Sequence, residues 1–306
     1  MLRLVSCLCV GFIAAAHAAP PPPLPRHRVD YTKFFVVRLN PLGIQDVFDI
    51  GYRYRLYDSE EPLWRTGQVG VSFNPIVTPA MAKIGISAEI EPIAVLRLQA
   101  RWEWQQYWSA FGHLQSYPKV DGADWSDSGI KAGKEAEKEY SAGGWQAMLL
   151  AELRAKVSMI IIRSRLSAFY SDMNLNDGDT VWYDPFHDLL TPGKGWSLTN
   201  EADVIASLLD DSLLVGVRHS LAHAFYPDQA FATDDHDVDD FPIQRVGPLV
   251  AWHVYDRPGA SLSRVTVIAL LQWYLSHPFR TGQDTNQGIP YVAIGCAING
   301  ELWRAD

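Results

Sequence analysis

Along most of the chain, apolar and polar residues alternate with a period of two. In the clearest run, Leu96, Leu98, Ala100, Trp102 and Trp104 interleave with Arg97, Gln99, Arg101, Glu103 and Gln105. One face is apolar and ends in aromatics; the other is polar and mostly charged. Successive side chains of an extended strand point to opposite sides, so this pattern predicts a strand with one apolar and one wet face. The run is longer than the usual strand of about five to six residues. A strand that crosses hydrocarbon needs about nine to eleven. The alternation recurs. Ile84, Ile86, Ala88 and Ile90 oppose Lys83, Ser87, Glu89 and Glu91, and Phe48, Ile50, Tyr52, Tyr54 and Leu56 oppose Asp49, Arg53 and Arg55. Val246, Val250, Trp252 and Val254 oppose Arg245, Gly247 and His253. Val265, Val267, Ala269, Leu271, Trp273 and Leu275 oppose Arg264, Thr266 and Gln272, with Ile268 and Leu270 interrupting the polar face. Near the end, Val292, Ile294, Cys296 and Ile298 oppose the small residues Ala293, Gly295 and Ala297.

The connections carry independent information. Tight ones are expected at Glu91-Pro92, Ala155-Lys156, Asp210-Asp211 and Asp256-Arg257-Pro258-Gly259. Long polar ones are expected over 109–143, 171–197, 227–242 and 278–287. Through the second half of the chain the two kinds alternate, as they do in membrane barrels that keep short turns on one side and long loops on the other. A soluble sandwich has no reason to sort connection lengths by parity. On this reading Ala123 and Asp235 lie on the outer side, Asp211 and Gly259 on the inner. Twelve strands are predicted, at 33–40, 45–57, 66–75, 80–91, 93–107, 144–154, 157–170, 198–208, 212–226, 243–255, 261–276 and 289–302. Boundary errors of about two to four residues allow a count from ten to fourteen. The fold class is therefore all-β: a transmembrane, antiparallel, up-and-down β-barrel.

Composition agrees with a strand-built membrane protein. Mean hydropathy is only −0.07, and 20% of the residues are charged, whereas a membrane helix needs about 18 or more apolar residues in a row. The one long apolar run is at the start. Arg3, the apolar stretch Leu4 to Ala16 and the small-residue pattern Ala16-His17-Ala18 form a secretory signal over residues 1–18. Residues 19–30, with the prolines of 20–25, read as an extended periplasmic leader, and 31–306 as the barrel. Cys7 and Cys9 leave with the signal, so Cys296 is alone and no intramolecular disulfide forms. The net charge of −9 argues against nucleic acid as a partner.

With this pattern over nearly the whole mature chain, the sequence resembles the bacterial outer-membrane β-barrel proteins as a class. The resemblance implies residence in the outer membrane, with outer-membrane lipid and lipopolysaccharide as partners.

The inward faces collect the candidate functional residues: Arg53, Arg55, Lys83, Glu89, Arg97, Arg101, Glu103, Arg154, Arg163, Arg165, Arg218, Arg245 and Arg264. Isolated buried ions are costly, so these charges either pair into a plug or line a hydrated path. Arg97, Arg101 and Glu103 are expected to meet Arg163 and Arg165 near the middle. A small-solute channel or transport-type barrel with an arginine-rich, partly plugged lumen is the leading function, and its excess of arginine favours anions. A non-conducting structural or surface-interaction barrel is the alternative, and a lipid-modifying enzyme a third. The stretch Arg218-His219-Ser220-Leu221-Ala222-His223 is where hydrolytic chemistry would first be sought, but parity turns His219 and His223 outward and Ser220 inward. Four residues of strand also separate the histidines by about 13 Å, too far to share a metal. No catalytic residue, metal site or cofactor is assigned. Residues 234–240, five of them aspartate and one histidine, form an acidic loop that could hold a divalent cation. The mixed Lys/Glu stretch 131–140 predicts a short surface helix that could close over the mouth.

Overall fold

A computed structural model describes residues 24–232 and 242–306. The elements run β1 (His27–Leu39), β2 (Gly43–Arg55), β3 (Gln68–Val77), β4 (Met81–Ile93), β5 (Leu96–Trp108), β6 (Ser116–Tyr117), α1 (Asp127–Glu135), β7 (Ser141–Val157), β8 (Ile160–Met173), β9 (Val181–Asp184), β10 (Leu189–Pro192), β11 (Lys194–Leu208), β12 (Leu213–Phe225), β13 (Ile243–Asp256), β14 (Arg264–Ser276) and β15 (Tyr291–Ala305). All but β6, β9 and β10 form one closed antiparallel barrel of twelve strands; those three make a small separate sheet. Closure comes from β1 pairing with β15, from His27↔Ala305 to Leu39↔Val292. An open edge in hydrocarbon would leave a row of N–H and C=O groups with no partner, so a sheet that spans a membrane has to close.

Parity along the strands follows the sequence pattern. On β4 and β5, Ile86 is 62% exposed and Trp102 52%, while Lys83 is 1% exposed and Glu103 3%. Apolar side chains face out, polar ones in. Aromatics mark both ends of the apolar band: Trp108, Trp196 and Trp273 at one, Tyr52, Trp252 and Trp303 at the other, all substantially exposed. Ile268 and Leu270 are real exceptions to a polar interior. They pack with Ile205, Leu249, Ala293 and Val36 as an apolar patch on the inner wall.

The twelve expected strands occur in the expected order. The largest boundary difference is β1, which starts at His27, inside the segment assigned to the leader. His27 to Leu39 bonds to β15 on one side, and His27 to Arg38 to β2 on the other. Those partners are remote in sequence, so no local signal marks the start. One rim carries both chain ends of the barrel and connections 56–67, 94–95, 158–159, 209–212 and 257–263. We call it the terminal rim; Asp211 and Gly259 are there. The opposite, loop rim carries 40–42, 78–80, 109–140, 174–193, 226–242 and 277–290, with Ala123. Two tight turns lie at 94–95 and 158–159 rather than 91–92 and 155–156, because β4 and β7 run further than their apolar pattern. Position 235 and the acidic loop fall outside the described residues.

Arginine at Ala100 or Ala269, both exposed on the outer wall, should cost about 2–4 kcal/mol of stability in a bilayer. Arginine at Gln99 or Gln272, both buried on the inner wall, should cost less. Urea midpoints in lipid vesicles check this, and equal losses at the two sets would contradict the assigned faces.

Candidate functional site

The strand register sets the lumen charges side by side. Arg97 stands opposite Glu152, Glu152 opposite Arg165, and Arg165 opposite Glu201, a row across β5, β7, β8 and β11. A second row places Asp203 between Arg163 and Arg218. Asp203 is 1% exposed and accepts from Arg163 Nη2 at 2.5 Å and Arg218 Nε at 2.8 Å. Arg218 also reaches Glu201 at 3.1 Å. On the other side Arg53 reaches Glu89 at 2.5 Å and Arg97 reaches it at 2.6 Å. The Arg53 contact crosses β3 at Gly70, where a Cβ would lie 2.5 Å from Arg53 Cδ. Lys83 pairs with Glu103 at 3.3 Å, and Arg154 with Glu91 at 2.5 Å. Two expected lumen residues sit instead at the terminal rim, where Arg55 pairs with Asp58 and Arg264 with Asp256. Arg163 and Arg101 do not meet across the axis. Arg163 is taken by Asp203 on the adjacent strand, because a cross-strand neighbour about 5 Å away is closer than the far wall.

Pairing along the wall leaves space on the axis. A vestibule of about 500 Å³ opens near the terminal rim, lined by charged residues including Arg28, Asp30, Glu89, Arg97 and Arg154. A second cavity of about 360 Å³ lies deeper. The two share Gln99, Arg101 and Arg165 in their linings, so they adjoin at that level. The deeper chamber is lined by six Arg or Lys (Arg38, Lys83, Arg101, Arg165, Arg218, Arg245) and by two carboxylates, Glu103 and Glu201. Several of these cations are weakly compensated. Arg101 and Arg165 are 3.7 and 3.9 Å from their nearest carboxylates, and Nε of each lacks a hydrogen-bond partner. Arg245 lies over the rings of Tyr291 and Tyr274, at 4.2 and 5.5 Å from their centroids. Arg38 donates to the backbone oxygens of Pro185 and Phe186.

Those two oxygens belong to the element that closes the chamber. β9 and β10 form a hairpin whose four-residue turn, 185–188, enters the loop end of the lumen. Phe186 covers the Lys83 ammonium at 4.8 Å, and His187 packs on Phe169 of β8 with ring centroids 4.7 Å apart. Asp184 shapes the turn by accepting from Phe186 N at 2.8 Å and bonding His187 Nδ1 at 2.6 Å. Burial alone would raise the Asp184 pKa; His187, with Lys83 and the Phe186 N–H, outweighs it and brings the carboxyl down to about 2. Apolar packing fixes the hairpin above the turn. Trp182 sits among Met81, Tyr107, Leu114, Ala142 and Met173, and Tyr183 stacks on Trp125 at 5.3 Å.

Asp188 anchors the far end of the turn. It is 1% exposed and accepts from Arg280 Nε at 3.1 Å, Tyr183 OH at 2.9 Å and Tyr274 OH at 2.7 Å. His277 Nδ1 accepts the backbone N–H groups of Phe279 and Arg280. Its Nε2 lies 3.4 Å from Asp188. Burial opposes the Asp188 charge, but His277 and Arg280 overcome it and hold the carboxyl well below the usual carboxylate range. Arg280, itself 2% exposed, also grips Asp127 of α1 through two bonds of 2.8 and 2.9 Å and Asn40 at 2.7 Å. One guanidinium thus ties together the hairpin, the helix and the β1–β2 turn.

No protein-family profile matches the chain, and neither does any curated protein. Among solved structures it is similar to the KdgM porin, at 7% identity over 88% of this chain and 98% of that one, with a TM-score of 0.39. It is also similar to LpxR from Salmonella typhimurium, at 10% identity over 89% and 99% with a TM-score of 0.38. A third is the outer membrane protein OprD from Pseudomonas aeruginosa, at 9% identity over 93% and 96% with a TM-score of 0.30. In architecture the chain resembles the bacterial outer-membrane β-barrels.

The hairpin and Arg38 are what the sequence reading missed. Val181-Trp182-Tyr183 and Leu189-Leu190, two apolar runs flanking Pro185-Phe186-His187-Asp188, were the available signal for a buried hairpin within an otherwise polar connection. The surface helix forms at 127–135 rather than 131–140. Ser126 caps it, accepting from Gly129 N at 2.9 Å, and Glu137 ends it at φ +56°. On the outer wall His219 meets Gln244 at 3.2 Å, whereas Ser220 turns inward to Gln272 at 3.0 Å. Neighbouring in sequence, they share no hydrogen bond, which a serine nucleophile and its base would need.

Replacing Arg280 with Met should leave Asp188 buried without its guanidinium partner, at a cost of about 3–5 kcal/mol. Hydrogen exchange over 181–192 should then rise while the barrel keeps its folded gel mobility; unchanged protection would contradict the lock. Acid gives a second check. Both aspartates are depressed, so their contribution is full above the unfolded pKa of about 3.9 and is lost as pH falls through the folded value. Hairpin protection should therefore be flat from pH 7 to 5 and fall between about pH 4 and 2. A loss centred near pH 6 would contradict this assignment.

Proposed function

We propose that this protein is an outer-membrane channel for small anionic solutes, held closed from the outside by the 181–192 hairpin. One observation carries the reading. Two adjoining cavities follow one another from the terminal rim to the hairpin turn, and the deeper one is lined by six Arg or Lys against two carboxylates. Fixed cations facing a confined aqueous space raise the local concentration of anions and exclude cations. The apolar patch formed by Ile205, Leu249 and Leu270 on the same wall suits a solute with an apolar face as well as an acidic group. In this reading the signal expected at 1–18 exports the chain, and the terminal rim, with its mostly short turns, faces the periplasm and the loop rim the outside. Outer-membrane lipid and lipopolysaccharide surround the barrel in this reading.

A second reading has its own support. The mouth is packed like a protein core around Trp182, Tyr183, Leu189 and Leu190, as suits a rigid, non-conducting surface barrel. Conductance separates the two. Replacing 181–192 with a short Gly/Ser linker should raise single-channel conductance in planar bilayers and give reversal potentials that favour anions. In that background Arg165→Gln with Arg245→Gln should move the permeability ratio severalfold toward cations. If removing the hairpin leaves conductance unchanged, the non-conducting reading holds. An unchanged ratio in the double variant would refute the role of the chamber cations.

A further inference from the structure

A third cavity lies to the side of the lumen. The loop rim is low over β1 to β4, where connections 40–42 and 78–80 are three-residue turns. The chain after β5 folds back over this low side, so that the segment 111–113 and α1 overhang it. Between overhang and rim runs a groove of about 470 Å³. Its lining is mainly apolar: Leu42, Ile44, Pro79, Met81, Phe111 and Ile130 are among the residues that face it. His113, in the same lining, is pushed down to about 4 by burial and by Arg38.

Three features identify what such a groove would hold. First, its mouth is continuous with the lipid-facing wall. Leu42 is 77% exposed, Phe111 67% and Ile44 45%, and Ile44 lies on the outward face of β2. Trp108, 41% exposed, donates to Pro79 O at 2.7 Å and marks the interface level beside the groove. Second, the overhanging helix presents Lys131 and Lys134 to the groove, both exposed. Neither has an ion-pair partner among the described residues, whereas Asp127 on the same helix is engaged by Arg280. Third, the inner end of the groove reaches the chamber closure, since Val36, Arg38, Gln45 and Phe186 line both spaces. Apolar clefts of this size with a few convergent polar groups are typical ligand sites.

We propose that this groove binds an anionic membrane amphiphile from the surrounding leaflet. Its acyl chain lies along Leu42, Ile44, Phe111 and Ile130, and its phosphate is held by Lys131 and Lys134. The chain end then packs against Pro185 and Phe186, so occupancy bears on the hairpin turn. The site does not depend on whether the lumen conducts.

The test uses the full mature protein in maltoside micelles and native mass spectrometry after detergent removal. The probes are palmitoyl lysophosphatidic acid, the uncharged monopalmitoylglycerol and inorganic phosphate. Lysophosphatidic acid should bind saturably with a stoichiometry of one, and the other two at least tenfold more weakly. Lys131→Gln with Lys134→Gln should weaken binding at least tenfold, and so should Leu42→Asp, which puts a negative charge at the exposed groove mouth. Gel mobility of the unheated protein verifies folding of each variant. Several results would overturn the proposal: equal binding of the uncharged lipid, equal binding of phosphate alone, unsaturable lipid attachment that neither variant changes, or a second copy of the chain seated in place of the lipid.

Discussion

The seat of the 181–192 hairpin hangs on one buried ion pair. Asp188 and Arg280 are each almost completely removed from solvent, in a position where either charge alone would cost several kcal/mol. Each is tolerable because the other is there, and because Tyr183, Tyr274 and Asp127 satisfy what remains of their hydrogen bonds. Such a pair contributes little net stability compared with an apolar replacement, but it is specific: few arrangements of these loops bring partners to both charges at once. It fixes the depth and direction of the hairpin turn. That placement in turn sets the ceiling of the chamber, the position of α1, and the inner wall of the lateral groove.

The barrel obeys a related rule in its walls. Hydrocarbon outside forces every backbone group into the ladder, and the register so imposed decides which charges meet. Asp203 between Arg163 and Arg218, and Glu152 between Arg97 and Arg165, follow from strand pairing. Because these contacts run around the wall, the arginines do not fill the axis. The loop end of the lumen is taken by a separate element, the 181–192 hairpin, whose apolar side chains Trp182, Tyr183, Leu189 and Leu190 pack as a core around a turn held by ion pairs. The charged wall and the hairpin are distinct devices, joined by Arg38, Lys83 and Tyr274.

The wall was legible in the sequence because it is written locally. Residues 83–90 and 96–105 alternate without interruption, and the strand count, order and inward faces come from that period together with the turn residues between the runs. The interior loops were not, for a physical reason. The partners of Asp188 are Arg280 and Tyr274, far along the chain, and no periodicity marks an aspartate destined for burial. Arg38 escaped because its function depends on two carbonyl oxygens delivered by the hairpin. Arg55 and Arg264 illustrate the converse. Parity put them on the inward face, but their depth, which parity does not encode, puts them at the rim.

The central claim is that the lumen is open toward the terminal rim and shut by the hairpin at the other. Ser220 is on the chamber wall and offers a direct probe. With Cys296 changed to Ser and Ser220 to Cys, the protein is inserted in one orientation into a planar bilayer and treated with a small thiol-reactive sulfonate from one side at a time. The account predicts reaction from the terminal-rim side and protection from the loop side. Equal reactivity from both sides with the hairpin intact would contradict it.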